Sequence, residues 1–205
     1  MVAVTSLLLA EAPVADATTD RILDAARDEL LAYGLRRFSV EDVARRAEIN
    51  RITIYRRFAS KDDLLRAVIL REGRELLMAV DAAVGSVASA PDQIVEGFVA
   101  ALMGVRRHPL VVRMLEAEPE LFAGLLLTHG GAVIALARAY LADHARSAQR
   151  AGAMKGYNPD VVAELAVRLS LSLVLTPDSC IPLTTDAEAR AFARQYLVPA
   201  LRRSR

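Results

Sequence analysis

Residues 39–61, SVEDVARRAEINRITIYRRFASK, constrain the fold more than any other stretch, because they pack two short helices and a tight turn into one run. Ser39 is a favourable N-cap, and Asp42 follows three residues later, as in a capping box. Val40, Val43, Ala44 and Ala47 recur at helical intervals and give the first helix one apolar side. Asn50 caps the next helix, in which Ile54 and Phe58 point inward at i and i+4. Arg51, Thr53, Tyr55, Arg56 and Arg57 are left for solvent or a ligand. Ser60 caps a third helix, with Asp63 at the reciprocal position. Such a pair of helices predicts a helix-turn-helix, whose second helix enters the major groove of double-stranded DNA.

Charge agrees with this reading. Residues 36–61 carry eight basic residues against three acidic ones, whereas residues 72–205 balance at 14 and 14. The 205-residue chain has a net charge of only +1. Positive charge gathered in one small region of a near-neutral protein marks a single surface suited to a polyanion.

The stretch from Arg21 to about Leu65 resembles the N-terminal domain of the TetR-type bacterial transcriptional regulators. The matching residues are a first helix RILDAARDELLAYG, then SVEDVA, then ITIYRRFASKDDLL, with Thr53, Tyr55, Phe58 and Lys61 in a Thr-x-Tyr-x-x-Phe-x-x-Lys pattern. Members of that family usually carry glycine in the turn, where this chain has Glu48, and often glycine before the threonine, where it has Ile52. The resemblance implies a homodimer on a palindromic operator, released by a small-molecule effector. It implies DNA contacts from Ser39, Arg51, Ile52, Thr53, Tyr55, Arg56 and Lys61. Thr53, Tyr55 and Lys61 are expected on phosphates, and Arg51, Ile52 and Arg56 near base edges.

The expected fold class is all-α. It comprises a flexible extension over residues 1–18, a three-helix head over 19–70 and a helical ligand-binding and dimerisation domain over 71–205. Pro91, Pro109, Pro119 and Pro159 each stand where a first helical turn can begin. Helices are expected at 60–84, 91–107, 109–116, 119–128, 131–151, 159–175 and 186–203. No segment alternates as a strand would. The uncharged run from Leu121 to Ala137 contains three glycines and is read as a buried helix pair, not a membrane span. The apolar N-terminus has no basic residue before Arg21, so it lacks the positive region of a signal peptide. One cysteine, Cys180, forbids an internal disulfide and fits the reducing cytoplasm.

The helices at 159–175 and 186–203 are apolar on more than one face, which predicts burial on two sides. Leu165, Leu169, Phe192 and Tyr196 are the expected dimer contacts. The resemblance implies an effector site among Phe98, Met103, Arg106, His108, Arg113, Phe122 and His129, where apolar walls meet a few polar groups, a pattern that equally describes an ordinary helical core with its polar residues outward. Catalytic readings find little support. His129-Gly130-Gly131 has no G-x-S-x-G partner, and the three histidines lack metal-ligand spacing. No metal or cofactor is expected. A non-specific nucleoid-type DNA binder and, further off, a helical enzyme are the alternatives.

Overall fold

Helix starts coincide with the caps written in the sequence. The computed structural model describes residues 16–152, 156–176 and 178–201, and among these there is no strand. In chain order the helices are α1 (Ala17–Arg37), α2 (Val40–Arg46), α3 (Arg51–Tyr55), α4 (Lys61–Gly85), α5 (Ala90–Arg106), α6 (Pro109–Ala117), α7 (Pro119–Arg150), α8 (Pro159–Leu175) and α9 (Asp186–Phe192). A π-helical turn, Ala193–Leu197, and a final turn, Val198–Leu201, continue α9.

Two expectations are corrected. The extension ends earlier than residue 18, because Asp16 accepts the Thr19 N–H at 2.6 Å and caps α1, so Ala17 and Thr18 are already helical. Residues 1–15 lie outside the described residues. The expected pair 119–128 and 131–151 is one helix. Gly130 and Gly131 cost about 1 kcal/mol each against alanine, too little to break a run of leucine and alanine on either side. Nor is this run enclosed. Phe122 and Leu125 pack inward, but Leu127 on the other face is 88% exposed.

The described residues form two compact units. One holds the chain through Gly73 together with His108–Val133, and the other holds Arg74–Arg107 together with the chain from Ile134. In the first unit Ile22, Ala26, Val43, Ile54, Leu64 and Val68 are fully buried, and Leu110 and Met114 of α6 join the same core. Each of the larger of these side chains, all but Ala26, contributes about 1.5–3 kcal/mol by leaving water. In the second unit α5 packs on the turns that continue α9 through Val95, Ala193 and Val198, beside a ring pair of Phe98 and Phe192 at 5.8 Å. Gly104 lets α5 approach α4, since a Cβ there would lie 2.5 Å from Leu76 Cδ1.

The turn after α2 is a Schellman cap. Ile49 N–H reaches Ala44 O at 3.0 Å and Glu48 N–H reaches Arg45 O at 3.2 Å. Its left-handed residue is Glu48, with φ 53°. A residue with a Cβ held there carries strain of about 1–2 kcal/mol, and glycine's added freedom when unfolded returns only about 0.4–1 kcal/mol of that. Glu48→Gly is therefore expected to raise Tm by about 1–3 °C, measured by thermal melts. A fall in Tm would show that the turn is relaxed around glutamate.

Candidate nucleic-acid interface

α3 stands on a buried footing. Ile54 and Phe58 face the core, and the Asn50 side chain accepts the Ile52 N–H at 2.9 Å. The opposite face is open: Arg51 and Arg56 are exposed, Ile52 is 57% exposed and Tyr55 48%. Thr53 is half-buried beside them. Arg56 has no ion-pair partner among the described residues, and Arg51 meets Glu41 only at 3.9 Å across solvent. Lys61, at the first turn of α4, is exposed, and its ammonium lies 5.6 Å from the centre of the Phe38 ring. Ser39 is half-buried, and its hydroxyl serves the fold as a cap. It accepts the Asp42 N–H at 3.1 Å and donates to the Asp42 carboxylate at 2.5 Å, which holds that carboxyl below its ordinary range.

Not every arginine of the basic stretch faces outward. Arg57 donates to Asp16 at 2.9 Å and to the Thr19 hydroxyl at 3.2 Å, joining the end of the motif to the start of α1. The Thr19 backbone N–H, and then Arg57, keep the Asp16 carboxyl below its usual range. Arg46 donates to the buried Glu29 at 2.7 Å, and Arg21 donates to Ala47 O at 2.6 Å. These three hold α1 against the motif. Asp16 as the acceptor for Arg57 was missed in the sequence, although an aspartate three residues before Thr19 has the spacing of an N-cap.

The expected effector residues divide between the two units. Met103 lines a cavity of about 320 Å³ in the second unit, together with Ala83, Val99, Ala100 and Gly104 and a rim of Glu96, Arg107, Asp186 and Arg190. Glu96 and Arg190 form a two-bond ion pair at 2.8 and 3.0 Å, which lowers the pKa of the carboxyl. Phe98 turns to Phe192 instead. Arg106 donates to the carbonyls of Leu173 and Leu183 and closes the segment between α8 and α9. In the first unit His108 meets Glu72 at 3.2 Å, Arg113 donates to Leu31 O at 3.3 Å, and Phe122 packs on the head core. His129 is half-buried. The described residues hold no group of three metal-ligating side chains.

Of the expected dimer residues, Leu165 and Leu169 are 57% and 62% exposed on α8, and Val161 extends their stripe one turn back. Tyr196 is exposed, while Phe192 stacks between Phe98 and Tyr196 of its own chain.

Residues 22–68 match the family described as bacterial regulatory proteins, tetR family, and residues 89–194 match the tetracycline repressor C-terminal domain family. The HTH-type transcriptional regulator AlkX of Mycobacterium tuberculosis is 33% identical over 161 residues, 77% of this chain and 75% of that protein. Among solved structures, the TetR family repressor AlkX from Dietzia sp. superposes with a TM-score of 0.67 at 20% identity, over 89% of this chain and 94% of the other. The transcriptional repressor QsdR of R. erythropolis superposes with a TM-score of 0.65 at 20% identity, over 92% and 97%. Those relatives are transcriptional regulators and share the all-helical fold. On its own helix-turn-helix geometry and on both family matches, this chain belongs to the TetR family of bacterial transcriptional regulators.

Proposed function

We propose that the chain is a cytoplasmic, effector-responsive repressor that binds a palindromic operator as a homodimer. The observation that carries this reading is the open face of α3, where Arg51, Ile52, Tyr55 and Arg56 project from a helix fixed by Ile54 and Phe58. Arg51, Ile52 and Arg56 read base edges, and Thr53, Tyr55, Lys61 and the turn at Ser39 hold phosphates. Leu165, Leu169 and Tyr196 seal two copies together, so that two heads meet major grooves about 34–36 Å apart. An aliphatic molecule is the effector. The apolar floor of Val99, Ala100 and Met103 supports that class, as does the implication of the Dietzia AlkX repressor in n-alkane biodegradation. Its binding changes DNA affinity by a coupling of about 1–3 kcal/mol.

The test separates readout from positioning on a duplex selected by the protein from a randomised pool. Lys61→Ala is expected to weaken selected and random duplexes alike and to lower the salt slope by about one. Arg51→Ala is expected to cost about 1–3 kcal/mol on the selected duplex and little on random DNA. Equal losses on both duplexes for Arg51→Ala, or no discrimination by the wild-type protein, would favour a nucleoid-type binder.

A further inference from the structure

The corner between α1 and α2 is held from outside the helix-turn-helix. α1 turns out of helical geometry at Gly34, with φ 77° and ψ −178°. The next two N–H groups then point to one carboxylate. Leu35 donates to Glu118 Oε2 at 2.6 Å and Arg36 to Glu118 Oε1 at 3.3 Å, across 83 and 82 residues of chain. Glu118 is the non-helical joint between α6 and α7, with φ −143° and ψ 51°. The fit leaves no slack, because a Cβ at Gly34 would lie 2.5 Å from Glu118 Oε2. A carboxylate taking two backbone N–H groups makes charge-assisted bonds that are strong and directional.

What the corner controls lies on the DNA-facing side. Phe38 follows directly, buried, with its N–H on Leu35 O at 3.3 Å. Its ring carries the Lys61 ammonium at 5.6 Å. Ser39, the next residue, caps α2. We propose that Glu118 is a positioning residue for DNA binding: its carboxylate fixes the Gly34–Arg36 corner, and thereby the cap of α2 and the phosphate-facing Lys61. The inference rests on the operator reading above.

The experiment measures Glu118→Ala and Glu118→Gln by anisotropy on the selected and random duplexes, with melts of each variant. Glutamine keeps the shape but faces one N–H with an amide. Glu118→Ala is expected to raise Kd on the order of tenfold on the selected and the random duplex alike, as the displacement of phosphate contacts should, at temperatures well below its Tm. Glu118→Gln should fall between it and wild type. Gly34→Ala should weaken selected binding more in the wild-type background than with Glu118→Ala, where no carboxylate blocks the new Cβ. A lowered Tm with selected binding unchanged would make Glu118 merely structural and overturn the proposal, as would additive effects of the two substitutions. A wild-type protein that cannot discriminate the duplexes would instead refute the operator reading itself.

Discussion

Leu169→Asp is expected to release monomers and to abolish tight operator binding while leaving each chain folded. Val161, Leu165 and Leu169 recur at i and i+4 on α8 and are all more than half exposed in the single chain. The buried face of the same helix is different, carrying Ala163, Val167 and Val174. An apolar stripe of that kind calls for a partner surface, and a two-fold axis lets a second copy supply it. A carboxylate placed there enters twice per dimer. Each costs several kcal/mol when desolvated without a partner. Losing the dimer also removes the linkage between two heads, which is worth about 10²–10⁴ in affinity. Sedimentation velocity reads the assembly directly. Phe192→Glu is a poorer probe, since Phe192 stacks on Phe98 and Tyr196 within its own chain, and its loss would damage the monomer. A Leu169→Asp protein that still sediments as a dimer would move the interface elsewhere.

The features legible in the sequence were those decided within one helical turn. Ser39, Asn50, Asn158 and Thr185 cap as their spacing implies, and Thr185 with Glu188 makes a full reciprocal box. The turn at Glu48 was legible only through the resemblance, whose usual glycine marks the position that the structure holds left-handed. Long-range partners were not. Arg57 and Arg46 look like solvated or ligand-facing charge in the sequence, and Arg106 was expected in the effector site, yet they bind Asp16, Glu29 and two carbonyls that lie far along the chain. His108 and Arg113 suggested an effector site by their polarity among apolar neighbours. The same contrast also describes polar groups that join helices, and here His108 meets Glu72 while Arg113 meets Leu31 O. Local chemistry fixes caps and turns. Which polar group meets which across the fold depends on packing that no short window contains.

Glu72→Ala is expected to be severely destabilising for the same reason. The Glu72 side chain is 7% exposed and receives Arg27 Nε at 2.9 Å and His108 Nε2 at 3.2 Å, with Arg71 at 3.8 Å. It therefore joins α1, α4 and the start of α6 within one unit. Burial pushes its carboxyl up, but the bonds from His108 and Arg27 outweigh burial and hold it below the ordinary value of 4.5. Deleting one member of a buried pair typically costs about 3–5 kcal/mol. Partial solvation of Arg27 favours the lower end, and a fall in Tm of about 6–12 °C follows for a chain of this size. The pH dependence has a definite sign. A carboxyl whose folded pKa is lowered stabilises fully above its unfolded pKa, and that stability is lost as pH falls through the folded value. Melts of wild type and Glu72→Gln should thus differ at neutral pH and converge as the pH drops below about 4.5. A gap that persists unchanged at low pH would mean that the shape of the side chain, not its charge, holds the three helices together.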